Sequence, residues 1–306
     1  MKAFSILLTL LAAITPSAAE KFDVQRAKTH VNIRTPEGKE ILQYQLQQPS
    51  GTKLSVESAC YFHPVRTPKG VVVTEVAPSD HLHHRGIFLA WVEMHGKNDA
   101  DFWGWGEHAP KKDRRIVNRT VSEPLSNPSG GGFKAENEWL AGTNVVITEQ
   151  LRTVARTEGP ANVIDLVYSL TAKDDLTLSR WAFSGFCVRV RKDGKLEAEG
   201  PDGSVTLPNP KHTEPSTDWP AAPWYAYTIT LPDGGTVGAA VIDHPQNPPS
   251  LWHNHRDVRM LNPCIVAPSA VTIKSGTPLV LRYRVLIYDG PTPRPLLSKL
   301  AKDWTE

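Results

Sequence analysis

The stretch Asp80-His81-Leu82-His83-His84-Arg85-Gly86 sets three of the chain's eleven histidines into four positions, and the apolar run Ile87-Phe88-Leu89-Ala90-Trp91 follows at once. Imidazole titrates close to neutrality, so it can donate a proton, accept one, or ligate a metal. On an extended backbone His81 and His83 project to one face and His84 to the other. One reading makes this His-x-His pair two ligands of a divalent transition metal such as zinc, copper or iron, with Glu107, His108 or His63 as a third. A second makes His81 or His83 a general acid, with Asp80 or Glu107 as the base or as the carboxylate that orients an imidazole. The third is structural, with the imidazoles satisfying backbone carbonyls and Asp80 beside a core strand.

A second segment, Asp243-His244-Pro245-Gln246-Asn247-Pro248-Pro249-Ser250-Leu251-Trp252-His253-Asn254-His255, repeats the His-x-His pattern. The two segments are expected to form two walls of one cleft, the alternative being that His253 and His255 decorate a surface loop. On the cleft reading the catalytic set is Asp80, His81, His83, Glu107 and His244. His63, His84, Arg85, Trp103, Trp105, Trp252 and His253 would contact the substrate. Indole rings beside a polar cleft stack on the apolar faces of sugar rings and donate one hydrogen bond. Trp103 and Trp105, flanked by Gly104 and Gly106, read as loop-borne contacts of this kind, whereas Trp91 reads as core. The chain holds no G-x-S-x-G elbow, no phosphate-binding loop, no dinucleotide fingerprint and no H-E-x-x-H. Serine hydrolases, nucleotide enzymes and zincin proteases are disfavoured accordingly.

Strands must position these residues, because helical periodicity is nearly absent. In residues 162–172, Ile164, Leu166, Tyr168 and Leu170 share a face, and in residues 279–290 Leu279, Leu281, Tyr283, Val285 and Ile287 do the same. Further strands are expected near 40–47, 55–62, 70–76, 86–94, 115–122, 133–140, 144–154, 184–191, 225–231 and 236–242. Twenty-six prolines argue against long helices, and only residues 295–304 read as one. The loop 200–223 is too long and proline-rich for a simple turn, and such loops tend to carry function. The expected architecture is a large antiparallel β-sandwich with a short C-terminal helix.

Residues 1–19 read as a secretory signal peptide: Lys2, an apolar stretch from Phe4 to Ile14, and small residues at Ser17 and Ala19. Cleavage is expected between Ala19 and Glu20, leaving one domain over 20–306 in the periplasm or outside the cell. The net charge is only +2, with no basic run, so nucleic acid is not an expected partner; a small molecule or oligosaccharide is. Cys60, Cys187 and Cys264 include no CxxC pair and read as small buried hydrophobes.

Several blocks occur together and in order. They are Tyr61-Phe62-His63-Pro64, Asp80-His81-Leu82-His83-His84-Arg85-Gly86, Asp101-Phe102-Trp103-Gly104, Ala240-Val241-Ile242-Asp243-His244-Pro245-Gln246-Asn247-Pro248, and Leu281-Arg282-Tyr283-Arg284-Val285-Leu286-Ile287-Tyr288-Asp289-Gly290. This order resembles the bacterial PmoA-like family, which carries the label "methane oxygenase PmoA". The resemblance implies a secreted protein acting on a carbohydrate or sugar derivative through acid/base chemistry. The family label implies instead an oxygenase with a bound metal; a third reading, resting on Trp103 and Trp105 themselves, is a non-catalytic glycan-binding module. At the level of fold, a galactose-mutarotase-like supersandwich is the nearest analogy.

Overall fold

The computed structural model describes residues 21–99, 101–104, 114–122 and 124–304. The expected signal peptide and its cleavage site, together with Trp105, Glu107 and His108, lie outside the described residues.

The alternating segments become the long strands of one sheet. Ala161–Ala172 pairs antiparallel with Asn144–Glu158 on one side and with Leu279–Asp289 on the other. Ile164, Leu166, Tyr168 and Leu170 are buried, while Asp165, Val167, Ser169 and Thr171 between them remain partly exposed. The full order of this ten-stranded sheet is Gly203–Ser204, Lys195–Gly200, Trp224–Thr230, Thr236–Asp243, Leu279–Asp289, Ala161–Ala172, Asn144–Glu158, Gly130–Ala141 and Arg114–Val121, with Leu125–Asn127 also paired to Gly130–Ala141. A seven-stranded sheet faces it, ordered Asp23–Arg26, His30–Arg34, Glu40–Gln45, Tyr61–Val65, Ile87–Ala90, Gly185–Arg189 and Met260–Leu261. Apolar side chains from both fill the space between, with Tyr44 of one sheet 5.3 Å from Phe133 of the other, ring centre to ring centre.

The fold is therefore an antiparallel β-sandwich. The one α-helix among the described residues, Arg294–Lys302, lays Leu297 and Leu300 on the outer face of the ten-stranded sheet, against Trp224, Ala240 and Leu286. Burying each leucine stabilises that contact by roughly 1.5–3 kcal/mol. No helix among the described residues is long and apolar enough to cross a membrane. The three cysteines are free thiols; Cys187 and Cys264 are buried and Cys60 is half-buried.

Two expected strands are shorter than the pattern implied. The strand expected over 55–62 begins only at Tyr61 and runs to Val65. Residues 72–76 make isolated bridges to Arg66, Val190 and Arg85 instead of a continuous ladder. The reason is local: Pro68 and Gly70 reverse the chain, and the Gly70 N–H closes the turn on Thr67 O at 2.8 Å.

Gly86 marks where the histidine-rich segment enters the seven-stranded sheet. Its backbone is left-handed (φ +63°), and a Cβ there would lie 2.1 Å from the Phe62 carbonyl oxygen. Its N–H donates to Glu75 O and its carbonyl accepts from Arg189 N–H, each at 2.8 Å. Only glycine fits this position. Gly86→Ala is expected to lower stability by at least about 2 kcal/mol through strain and forced separation of the strands. Chemical denaturation followed by circular dichroism measures it, and an unchanged midpoint would contradict the account.

Candidate active site

The Asp80–Gly86 segment is not extended. The His81 N–H donates to Pro78 O at 2.9 Å, the His84 N–H donates to His81 O at 2.9 Å, and the Ala77 N–H donates to His84 O at 2.8 Å. Two successive turns replace the expected strand, so the three imidazoles gather instead of splitting between two faces. Ring centres lie 4.8 Å apart for His81 and His84, 4.5 Å for His83 and His84, and 5.6 Å for His81 and His83.

Arg85 holds this turn in place. Its Nη1 donates to His83 O at 3.0 Å and its Nη2 to Phe102 O at 3.1 Å, with the guanidinium 4.4 Å over the Phe88 ring. At 1 % exposure it is a brace between two loops and does not face a substrate. The loop it grips carries Trp103, whose backbone N–H donates to Asp101 Oδ1 at 2.8 Å. Trp103 packs on His84, Phe88 and Phe183 and is fully buried, as is Trp252. Neither indole offers a face for a sugar to stack on, which removes the expected contacts of a glycan-binding module among the described residues.

The second wall comes from two distant segments. Trp219 and Trp252 exchange backbone N–H···O bonds of 2.9 Å each, stitching the proline-rich loop beside the Leu251–Trp252 strand. Arg256 secures the same loop, with its guanidinium 4.7 Å over Trp219 and Nη2 donating to Val205 O at 2.6 Å. This places Asp218 Oδ1 2.7 Å from His253 Nδ1, and His253 Nε2 3.1 Å from His212 Nδ1. Asp218 and His253 have no side-chain exposure at all, so His253 is not a surface decoration. His255 stacks on His212 at 5.1 Å.

The two walls meet. His81, His83, His84 and His212 line one cavity of about 10 Å³ with Trp103, Phe183, Val258 and Met260. Of the residues named from sequence, His63 is placed elsewhere, its Nδ1 2.9 Å from Thr74 Oγ1. His244 is also remote from this cluster. Its ring sits 4.9 Å from Trp304 beside the C-terminal helix, and its Nδ1 accepts from the Gln246 N–H. Sequence reasoning missed His212 and Asp218. The length of their loop was the only signal for them.

Environment sets the two carboxylates apart. Burial opposes charge on Asp80, yet it accepts from Lys192 at 2.8 Å, His81 Nδ1 at 2.9 Å and Arg189 Nη2 at 3.1 Å, and these hold its pKa well below the usual range. An ionised Asp80 can only accept, so His81 carries its proton on Nδ1 and keeps a lone pair on Nε2. Burial lowers the His81 pKa as well. Asp218 has no cation beside it among the described residues, and burial pushes it up to about 8. Burial drives His253 down to about 3 and His212 down to about 4. Near neutral pH the protonated Asp218 therefore donates to His253 Nδ1. His253 Nε2–H then donates to His212 Nδ1, leaving the His212 proton on Nε2.

Comparison with known proteins adds the family. The family of unknown function DUF6807 matches residues 33–302. The chain belongs to DUF6807. No curated protein matches it. Among solved structures it is similar to the GH36 α-galactosidase AgaA from Geobacillus stearothermophilus (7% identity, TM-score 0.41, covering 89% of this chain and 40% of that one). It is also similar to the heparan sulfate lyase HepC from Pedobacter heparinus (8% identity, TM-score 0.38, covering 90% and 36%) and to the Slr1438 protein from Synechocystis sp. PCC 6803 (8% identity, TM-score 0.42, covering 92% and 100%). The chain thus spans about two fifths of the galactosidase.

These findings correct the expected PmoA-like identity. The matching family is DUF6807, a family of unknown function, and no helix among the described residues is long and apolar enough to cross a membrane. The metal reading of His81 and His83 is corrected too. Among the described residues of this DUF6807 chain, no group of three or more His, Cys, Asp or Glu is arranged to hold a metal ion. Four ring nitrogens around the cavity are engaged in hydrogen bonds: His81 Nδ1 by Asp80, His84 Nδ1 by Arg189, and both nitrogens of His253 by Asp218 and His212.

Stability should follow the imidazoles. His63, His212 and His255 are held near 4, and His83 and His253 near 3, all below the ordinary 6.5. Their contribution is complete above pH 6.5 and is lost as pH falls from there toward 4. Raised carboxyls act oppositely: Asp243 at about 6, Glu149 at about 7 and Asp218 at about 8 lose stability as pH rises through those values. Five imidazoles outweigh three carboxyls on the acid side. The melting temperature is expected to peak near neutrality and to fall between pH 6.5 and 5, with net proton uptake on unfolding. Calorimetry across that range tests it; a melting temperature that holds or rises on acidification contradicts it.

Proposed function

We propose that the imidazole cavity is a proton-transfer site on a small hydroxylated substrate of the sugar kind, with His81 as base and His212 as acid. One observation carries this reading. Two imidazoles line the same cavity, His81 bonded to Asp80 and His212 linked to Asp218 through His253, and the two carboxyl groups sit in environments that favour the ionised form of one and the protonated form of the other. Divergent environments around paired titratable groups are how acid and base roles are assigned at one pH. His81 takes a proton on Nε2 while Asp80 steadies the resulting imidazolium. His212 gives up its Nε2 proton, and the hydrogen bonds through His253 let the vacancy pass inward until Asp218 holds the charge. Apolar walls from Trp103, Phe183 and Met260 suit the C–H side of a CH–OH unit.

A cavity of about 10 Å³ has room for one oxygen-sized group of such a substrate. The leader-like first nineteen residues fit a place of action beyond the cytoplasmic membrane.

The experiment is a panel of sugars and sugar acids incubated with the protein in D₂O and followed by NMR for deuterium incorporation or turnover. His81→Ala should lower kcat by roughly 10²- to 10⁴-fold on whatever substrate is found. The rate should rise with pH through a value below 6.5 as His81 loses its proton, and fall above about 8 as Asp218 loses its own. In Asp218→Asn the alkaline fall should disappear, since the amide cannot ionise. Unchanged rates in His81→Ala, or an alkaline limb that survives in Asp218→Asn, would sink the assignment.

A further inference from the structure

The hydrogen bonds around two stacked imidazoles specify which chemical group the cavity can take. Arg189 is fully buried, and its Nη1 lies 3.2 Å from His84 Nδ1. A guanidinium has only donors, so His84 Nδ1 must accept and the His84 proton must reside on Nε2. The neighbouring ring is fixed the opposite way. Asp80 takes two bonds from the Arg189 and Lys192 cations and a third from His81 Nδ1, so His81 presents a lone pair on Nε2. The two rings stack 4.8 Å apart with only 27° between their planes. Near-parallel neighbours thus carry opposite tautomers, one with a donor and one with an acceptor at Nε2. His83 Nε2 is a third point on the same cavity; the residue is 7 % exposed and that nitrogen has no hydrogen-bond partner among the described residues.

We propose that His81 and His84 form a tautomer-locked recognition site for a neutral hydroxyl group, with Asp80 and Arg189 as the positioning residues that set the lock. A hydroxyl donates one proton and accepts others, so it gives its proton to His81 Nε2 while its oxygen receives the His84 Nε2–H. A carboxylate or a fully ionised phosphate monoester has no proton to give and would face the His81 lone pair with a negative oxygen. An ammonium group could not accept from His84. Room for about 10 Å³ admits one oxygen-sized group. This rests on the preceding reading only for the cavity being where a substrate group enters; the lock follows from the hydrogen bonds themselves.

The test needs no turnover. Full-length mature chain labelled with ¹⁵N-histidine is studied at pH 7.5 by long-range ¹H–¹⁵N correlation, which reports the tautomer of each ring. His84 is expected to carry its proton on Nε2 and His81 on Nδ1. Titration with methanol should move the His81 and His84 Nε2 signals, and formate, similar in size, should bind at least about tenfold more weakly because a buried acceptor would be left facing an anion. In Asp80→Asn the amide can donate to His81 Nδ1, so His81 should change tautomer and the preference for methanol over formate should shrink or reverse. Either ring in the opposite tautomer in the unaltered protein, or formate binding as tightly as methanol there, overturns the proposal even if the variant does not fold. Locked rings that prefer methanol, in a protein with no deuterium exchange on any sugar, would support hydroxyl recognition and end the proton-transfer reading.

Discussion

The Asp80 carboxylate accepts from His81 at 2.9 Å, Lys192 at 2.8 Å and Arg189 at 3.1 Å, and the geometry on both sides of it follows from those bonds. Arg189 closes the strand Gly185–Arg189, so the carboxylate ties a turn to the frame of the seven-stranded sheet. Glu75, 3.5 Å from Arg189 Nε, shares the same guanidinium. A buried cation of this kind is tolerable only because it is paired; stripped of partners it would carry a desolvation cost of several kcal/mol. The same guanidinium dictates the His84 tautomer, so one ion pair anchors the turn, orients one ring and fixes the protonation of the next.

Asp218 shows how far the same pair of residue types can diverge. Asp80–His81 and Asp218–His253 are both carboxyl–imidazole contacts, at 2.9 Å and 2.7 Å. Cations surround the first; among the described residues none supports the second, whose side chains are wholly buried. Desolvation then dominates and favours the form without charge. The result is polarity across the cavity: a lone pair on one side, a proton on the other.

Much of the fold was legible because period-two alternation survives in long strands. Residues 162–172 and 279–290 could be read almost to the residue, since one face of each is buried and the other is not. The site was harder to read, for two physical reasons. His81 and His83 look like a strand pair, but Pro78 and the bonds back to Pro78 O and His81 O coil the segment, a tertiary outcome that spacing does not encode. His212 and Asp218 sit in a loop whose position depends on Trp219 meeting Trp252, thirty-three residues on, and on Arg256 reaching back to Val205. Arg85 misled in the opposite direction: its motif reads as a substrate contact, whereas two backbone carbonyls and the Phe88 ring hold it inside.

The placement of Leu279–Asp289 has a consequence for how the molecule is made. This strand lies in the middle of the ten-stranded sheet, between Thr236–Asp243 and Ala161–Ala172, yet it is the last strand of that sheet to leave the ribosome. Until it arrives, two long strands wait with unpaired edges, the kind of template on which chains join one another. The sheet cannot close from one end to the other as synthesis proceeds, and its two halves must be held apart in time before they are joined in space. A chain stalled before residue 279 would be sticky along both edges, so the burden on chaperones falls on the nascent protein rather than on the finished one.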